Sequence, residues 1–247
     1  SQGPMTTSPL NAIPSAPPPA EEPLAPLESI VTLADQVADR IVDAIAARRL
    51  VSGQRLIETE LADALKVSRV PVREAIRILA SQGILVPALR RGMQVATFDA
   101  AWATQLHNAR VAIERLCARI VADKLAVDRS PLHRLEACVA AIDAAAQRPQ
   151  DGWLRLNRAD IAFHTAMFEI AGSPLLTTLW NAISRHVLIM FSIETYRDTD
   201  FERVTQEHRI YVDVLLSGSR EKLDAEIDTH VAGLRTFSHV RPVPDPQ

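Results

Sequence analysis

The stretch SRVPVREAIRILASQG, residues 68–83, limits the fold more than any other part of the chain. Ser68 is placed to cap a helix, and Pro71 falls in the first turn, where a missing N–H does little harm. Val72, Ala75, Ile76 and Leu79 make one apolar row, while Arg69, Arg73 and Arg77 make a neighbouring row at i, i+4 and i+8. Such a helix packs on one side and is cationic on another. Just upstream, Thr59 is placed to cap a short helix carrying Leu61 and Leu65, and only Lys66-Val67 separates the two, which predicts a helix-turn-helix. Leu33, Val37, Ile41 and Ile45 form an apolar stripe for a preceding helix that runs to about Arg48. Gly83 is placed to end the cationic helix, and Ile84–Val86 and Met93–Ala96 read as two short strands around a loop from Pro87 to Gly92. Residues 30–97 thus read as a winged helix-turn-helix.

Beyond Phe98 the pattern predicts six helices and no strand, at roughly 99–126, 131–147, 152–172, 174–196, 201–217 and 220–239. Breaker pairs at Ser130-Pro131, Ser173-Pro174 and Ser217-Gly218 separate several of them. The fold class is mainly α, with an antiparallel helical bundle over 98–240 following the winged head. Residues 1–29 hold eight of the sixteen prolines and no apolar periodicity, so they read as a disordered tail, as do 241–247. The net charge of −3 divides unevenly: 1–29 carry −3, 30–97 carry ten basic and seven acidic residues for +3, and the remainder carries −3. A basic head on an acidic body suits contact with nucleic acid through one part only. Apolar runs such as Val187–Phe191 fall far short of the roughly 20 residues that cross a bilayer, so a soluble, cytoplasmic protein without membrane contact is expected. Cys117 and Cys138 show no close spacing and read as buried free thiols.

Arginine pairs in bidentate fashion with guanine or phosphate, and the N-terminal half of such a helix enters the major groove. Arg69 and Arg73 are the candidates for reading bases, and Ser68 at the helix start is counted with the DNA-binding residues. Arg77, further along, is expected to reach phosphate or a neighbouring acid. Arg90, Arg91 and Gly92 at the wing tip suit a phosphate or minor-groove contact. The plainer alternative is that these arginines only solvate a surface helix. From Ser52 to Ala96 the sequence, with SGQRLIETELADALKVSRVPVREAIRILASQGILV and the later RRGMQV, resembles the winged-helix domain of the GntR family. The resemblance implies a regulator that binds a double-stranded DNA operator, an inverted repeat, as a homodimer. It implies contacts through Arg69, Arg73 and the wing near Arg91 and Gly92. Many relatives have threonine where this chain has Val70.

In NRADIAFHTAMF, Asp160 and His164 lie four apart on one helical face, a metal-ligand spacing. His208, in TQEHRIYV, and His230, in EIDTHVAG, lie on two later helices, and the set could converge inside a bundle. Each histidine alone reads more simply as a hydrogen-bonded surface or core residue, and His107, His133, His186 and His239 keep that reading. Residues 100–239 resemble the FCD ligand-binding domain of the FadR-type subfamily, in a six-helix, VanR-like arrangement. That resemblance implies a divalent transition metal held by Asp160, His164, His208 and His230, with zinc the expected ion and nickel or manganese also compatible. It also implies that Arg110 binds the carboxylate of a small organic-acid effector; otherwise Arg110 and Glu114 form an ordinary exposed i, i+4 pair. Two other functions compete. A metal-dependent hydrolase would need a base beside the metal, yet Glu207 should point roughly 100° from His208 and Glu169 is poorly aimed, so no enzyme is expected. A metal sensor would need a closed site.

Overall fold

The computed structural model describes residues 32–148, 153–194 and 201–231. The tails assigned to 1–29 and 241–247, the last helix beyond Val231, and His239 lie outside these residues. Helix α1, Leu33–Ala46, opens on a capping box in which Thr32 and Asp35 satisfy each other's backbone N–H groups. Of the expected stripe, Val37, Ile41 and Ile45 are buried, while Leu33, in the first turn, is 50% exposed. Helix α2 is Glu58–Leu65 and α3 is Arg69–Ser81. Thr59 does not cap α2: Ile57 holds the N-cap position with extended backbone and no side-chain bond, while Glu58 and Glu60 place negative charge at the helix start. Ser68 does occupy the N-cap of α3, but its hydroxyl makes no capping bond. Gly83, at φ +75°, closes α3 in a Schellman motif, with Ile84 N–H donating to Leu79 O and Gly83 N–H to Ala80 O.

Strands β2, Leu85–Pro87, and β3, Met93–Val95, form the wing close to the expected positions. A strand absent from the sequence reading, β1 at Arg55–Leu56, completes an antiparallel sheet of order β1-β3-β2, with Arg55 opposite Gln94 and Leu85 opposite Val95. Two residues are too few for alternation to show in a sequence. Six helices then follow: α4 Ala100–Val127, α5 Leu132–Ala146, α6 Trp153–Ala171, α7 Pro174–Glu194, α8 Phe201–Leu216 and α9 Arg220–His230. Asp99 caps α4, Ser219 caps α9, and Ser173 accepts from Leu176 N–H at the start of α7. No helix among the described residues is long and apolar enough to cross a membrane.

The bundle core gathers Leu125, Leu135, Ile142, Phe163, Phe168, Trp180 and Tyr211 from α4 to α8. Helix α7 belongs to two cores. Its Val187, Met190 and Phe191 pack in the bundle, whereas Leu188 and Ile189 pack with α1, α3 and the sheet. Cys117 is buried as expected, but Cys138 is only half-buried, and both are free thiols.

Candidate functional site

On the head, Val72, Ala75, Ile76 and Leu79 turn α3 inward, which leaves Arg69, Arg73 and Arg77 exposed. Arg69 has no partner among the described residues. Arg73 lies 3.3 Å from Glu58 Oε2 on α2, and Arg77 donates to Glu74 Oε1 at 2.6 Å. The neighbouring acid expected for Arg77 is therefore Glu74. At the wing, Arg90, Arg91 and Gly92 are all exposed between β2 and β3. Gly92 has φ +106°, and a Cβ there would come within 3.1 Å of Arg55 Nε, so both the backbone and a third cation call for glycine. The three strands thus bring Arg55 beside the wing tip.

Inside the bundle, α6, α8 and α9 bring His164, His208 and His230 together, with one ring nitrogen of each within 4.8 Å of the others. Asp160 Oδ1 is 3.5 Å from His164 Nε2, and its Oδ2 is 3.6 Å from His208 Nε2. Two imidazoles are held from behind. His208 Nδ1–H donates to Val204 O at 2.8 Å, and His164 Nδ1 lies 2.7 Å from Glu114 Oε2, which directs both Nε2 atoms toward Asp160. Asp160 Oδ1, His208 Nε2 and His230 Nδ1 are buried with no hydrogen-bond partner among the described residues. Burial depresses the pKa of His208 and, reinforced by the charges of His208 and His164, drives that of His230 well down, so both rings are neutral donors at neutral pH. These two imidazoles, the His164 ring held by Glu114 and the Asp160 carboxylate make a donor set that fits a borderline divalent cation.

Arg110 enters the same space from α4. It is 1% exposed, donates through Nε to Glu114, lies 3.1 Å through Nη2 from His164 Nε2, and rests 4.8 Å over the Phe191 ring. The exposed-pair reading of Arg110 and Glu114 is thereby corrected, because both sit in the row Leu106, Cys117 and Val121 that α4 buries. Burial opposes the charge on Glu114, but the Arg110 guanidinium and His164 more than offset it and hold its carboxyl at about 2. The cavity measures about 50 Å³ and is lined by Arg110, Trp153, Asn157, Asp160, Phe191, Arg203, Val204, Glu207, His208 and His230. Glu207 thus faces the same space as His208, although helical geometry set it to one side; its carboxylate lies 3.5 Å from Arg203.

Comparison with known proteins accounts for both halves. The model of bacterial regulatory proteins of the gntR family matches residues 33–95, and that of the FCD domain matches 105–233, more than half of the chain. The chain belongs to the GntR family. A Bacillus subtilis relative described as the HTH-type transcriptional regulator YcbG is 30% identical over 229 residues, spanning 87% of this chain and 89% of its own length. A Paenarthrobacter nicotinovorans relative, a probable D-xylose utilization operon transcriptional repressor, is 29% identical over 81% of this chain and 86% of its own. A crystal structure of a GntR regulator from Rhodococcus sp. RHA1 superposes with a TM-score of 0.62 at 25% identity, over 81% of this chain and 94% of that one.

This GntR regulator is a transcription regulator rather than an enzyme, as expected. Three features escaped the sequence reading. Glu114 backs His164 from 50 residues away, a contact no local pattern shows, although its place in the buried row of α4 was a usable signal. Arg55 depends on the unseen β1. The third feature is the junction of the GntR head with the FCD bundle. Arg185 on α7 donates to Asp39 at 2.9 Å and to Gln82 Oε1 at 3.4 Å. His186 Nε2–H donates to Gln82 O at 2.6 Å, and its Nδ1 accepts from the Trp102 indole at 3.2 Å. Arg158 pairs with Asp43 of α1. His186 thus keeps its plain hydrogen-bonded reading, and the end of α3 is tied to the bundle.

Proposed function

We propose that this regulator is a metabolite-responsive repressor whose homodimer binds an inverted-repeat operator and whose FCD domain senses a small carboxylate beside a bound divalent metal. Asp160, His164, His208 and His230 hold the ion, with zinc the expected metal and nickel or manganese also compatible. The observation that carries the reading is the set of ring nitrogens within 4.8 Å of one another, backed by Glu114 and Val204 and facing orphaned buried atoms. When bound, the ion supplies Lewis-acid positions that accept a carboxylate oxygen. Arg110 supplies the second grip: Glu114 fixes its Nε side, while Nη1 is buried and has no partner among the described residues. A guanidinium fork selects carboxylates over neutral metabolites. A cavity of about 50 Å³ holds only a few water-sized groups, which favours short acids. On the head, Ser68, Arg69 and Arg73 address the bases, and Arg77, Arg90, Arg91 and Gly92 follow the backbone or minor groove.

The burial of His164, His208 and His230 favours a second reading, a closed site that reports the metal itself. One set of measurements separates the two. Elemental analysis is expected to find close to one divalent metal per chain, and almost none in His164→Ala or His208→Ala. Calorimetry with a panel of mono-, di- and tricarboxylates is expected to find an acid whose affinity falls at least about tenfold in Arg110→Ala and in metal-stripped protein. Metal content equal to the parent's in both histidine variants overturns the metal site. An acid that binds equally well to all three proteins overturns the effector site, and metal-dependent operator binding with no acid bound establishes the metal sensor.

A further inference from the structure

We infer that Val70 reads a thymine methyl group in the operator and is a specificity-determining residue of the recognition helix α3. At about 100° per residue, Val70 projects about 180° from the mean direction of Val72, Ala75, Ile76 and Leu79, the row that α3 buries. It is therefore at the centre of the outward face, with Arg69 to one side and Arg73 between them one turn on. The residue is 68% exposed, the only large apolar residue of α3 so placed.

The position also sets the depth. Val70 is the second residue of α3, and the N-terminal turn of such a helix meets the base edges. The guanidiniums of Arg69 and Arg73, both to one side of it, engage guanine edges or phosphates and leave Val70, on the central line of the outward face, against the floor of the groove. The thymine C5-methyl is the apolar feature that the floor presents. A branched, stiff side chain offers two methyl groups there with little conformational freedom to lose. Nothing in the fold calls for valine here, since it packs against neither core.

The test starts from duplexes selected by the full-length parent from a randomised pool, with each thymine of the half-site then replaced in turn by uracil, which lacks only the methyl. Parent affinity is expected to fall about fourfold or more at one position, the worth of one buried methyl. Val70→Ala is expected to fall less than about twofold at that position while matching the parent at every other uracil. Val70→Thr, which keeps one methyl on the branched carbon, is expected to recover part of the sensitivity. Equal losses for parent and Val70→Ala at every uracil overturn the inference. So does a selected half-site without thymine, or a Val70→Ala defect that is uniform over all duplexes, which would place Val70 against the sugar-phosphate backbone.

Discussion

Arg73–Glu58 on the head and Arg110–Glu114 in the bundle are the same chemical pair in opposite settings. The first is 54% and 39% exposed at 3.3 Å; the second is 1% and 2% exposed and is shared with His164. On the head, the arginine proposed to meet DNA is held by a partner that water already screens, so releasing it costs at most about 1 kcal/mol. In the bundle, two charges removed from water cannot be separated cheaply, and they fix the imidazole behind which they sit. The one surface is built to exchange partners and the other to keep them.

Breaking the buried pair is expected to have the largest effect. Glu114→Ala leaves Arg110 charged, buried and unpaired, and should cost about 3–5 kcal/mol of stability. Glu114→Gln keeps the shape and is expected to cost less while still weakening metal retention, because a neutral amide holds His164 less firmly. Urea unfolding of metal-free protein measures the first and elemental analysis the second. A loss below about 1 kcal/mol in Glu114→Ala would mean that the bundle treats this pair as the head treats its own.

Acid should act on the bundle in the same sense. Burial lowers His208 and drives His230 well below the usual 6.5, so the unfolded chain binds those protons first. Their contribution is complete above about pH 6.5 and is lost as the pH falls from there toward the folded values. Glu114, lowered from 4.5 to about 2, adds a second loss over that lower range. The urea midpoint of chelator-treated protein is therefore expected to drop between about pH 7 and about pH 5, and to drop less in His208→Gln. A parent midpoint that stays flat over that window contradicts the assignment of buried neutral imidazoles.

The two regions also differ in how much of them the sequence discloses. Arg69, Arg73 and Arg77 are legible because one helix carries both the buried row and the cationic row, and Gly83 closes it. The bundle helices are legible because apolar periodicity runs between the breaker pairs Ser130-Pro131, Ser173-Pro174 and Ser217-Gly218, whereas the caps Asp99 and Ser219 emerge only in the structure. The cavity is legible only in part. Asp160 and His164 share a helix face, but bringing His208 and His230 to them takes long-range packing. The resemblance to the FCD domain, rather than spacing, joined the four residues as a ligand set. The setting of Arg110 and Glu114 stayed open because an Arg-x3-Glu pair looks the same on an exposed face as on a buried one, and only Leu106, Cys117 and Val121 around it distinguish the two. The link from Gln82 to Arg185 and His186 had no local signal, since Gln82 is joined through its carbonyl and its side chain to residues about 100 positions away.

The smallest effect falls on the exposed pair and sharpens the contrast most directly. Arg73→Ala removes a base-edge or phosphate contact, and operator affinity should fall by about 1–3 kcal/mol at fixed salt. Glu58→Ala removes only the partner that occupies Arg73 in the free protein. Its carboxylate also lies in the first turn of α2, where negative charge favours the helix by about 0.3–1 kcal/mol, so stability should dip slightly. Freed from Glu58, Arg73 meets DNA without first breaking an ion pair, and one acidic group leaves the DNA-facing surface. Operator affinity should therefore rise by a factor of about two to five, and the gain should shrink as salt screens the pair. Fluorescence anisotropy at two ionic strengths reads both quantities. A fall in affinity on removing Glu58 would show that the carboxylate holds Arg73 in its binding pose, and the head would then be preorganised by its acids as the bundle is by Glu114.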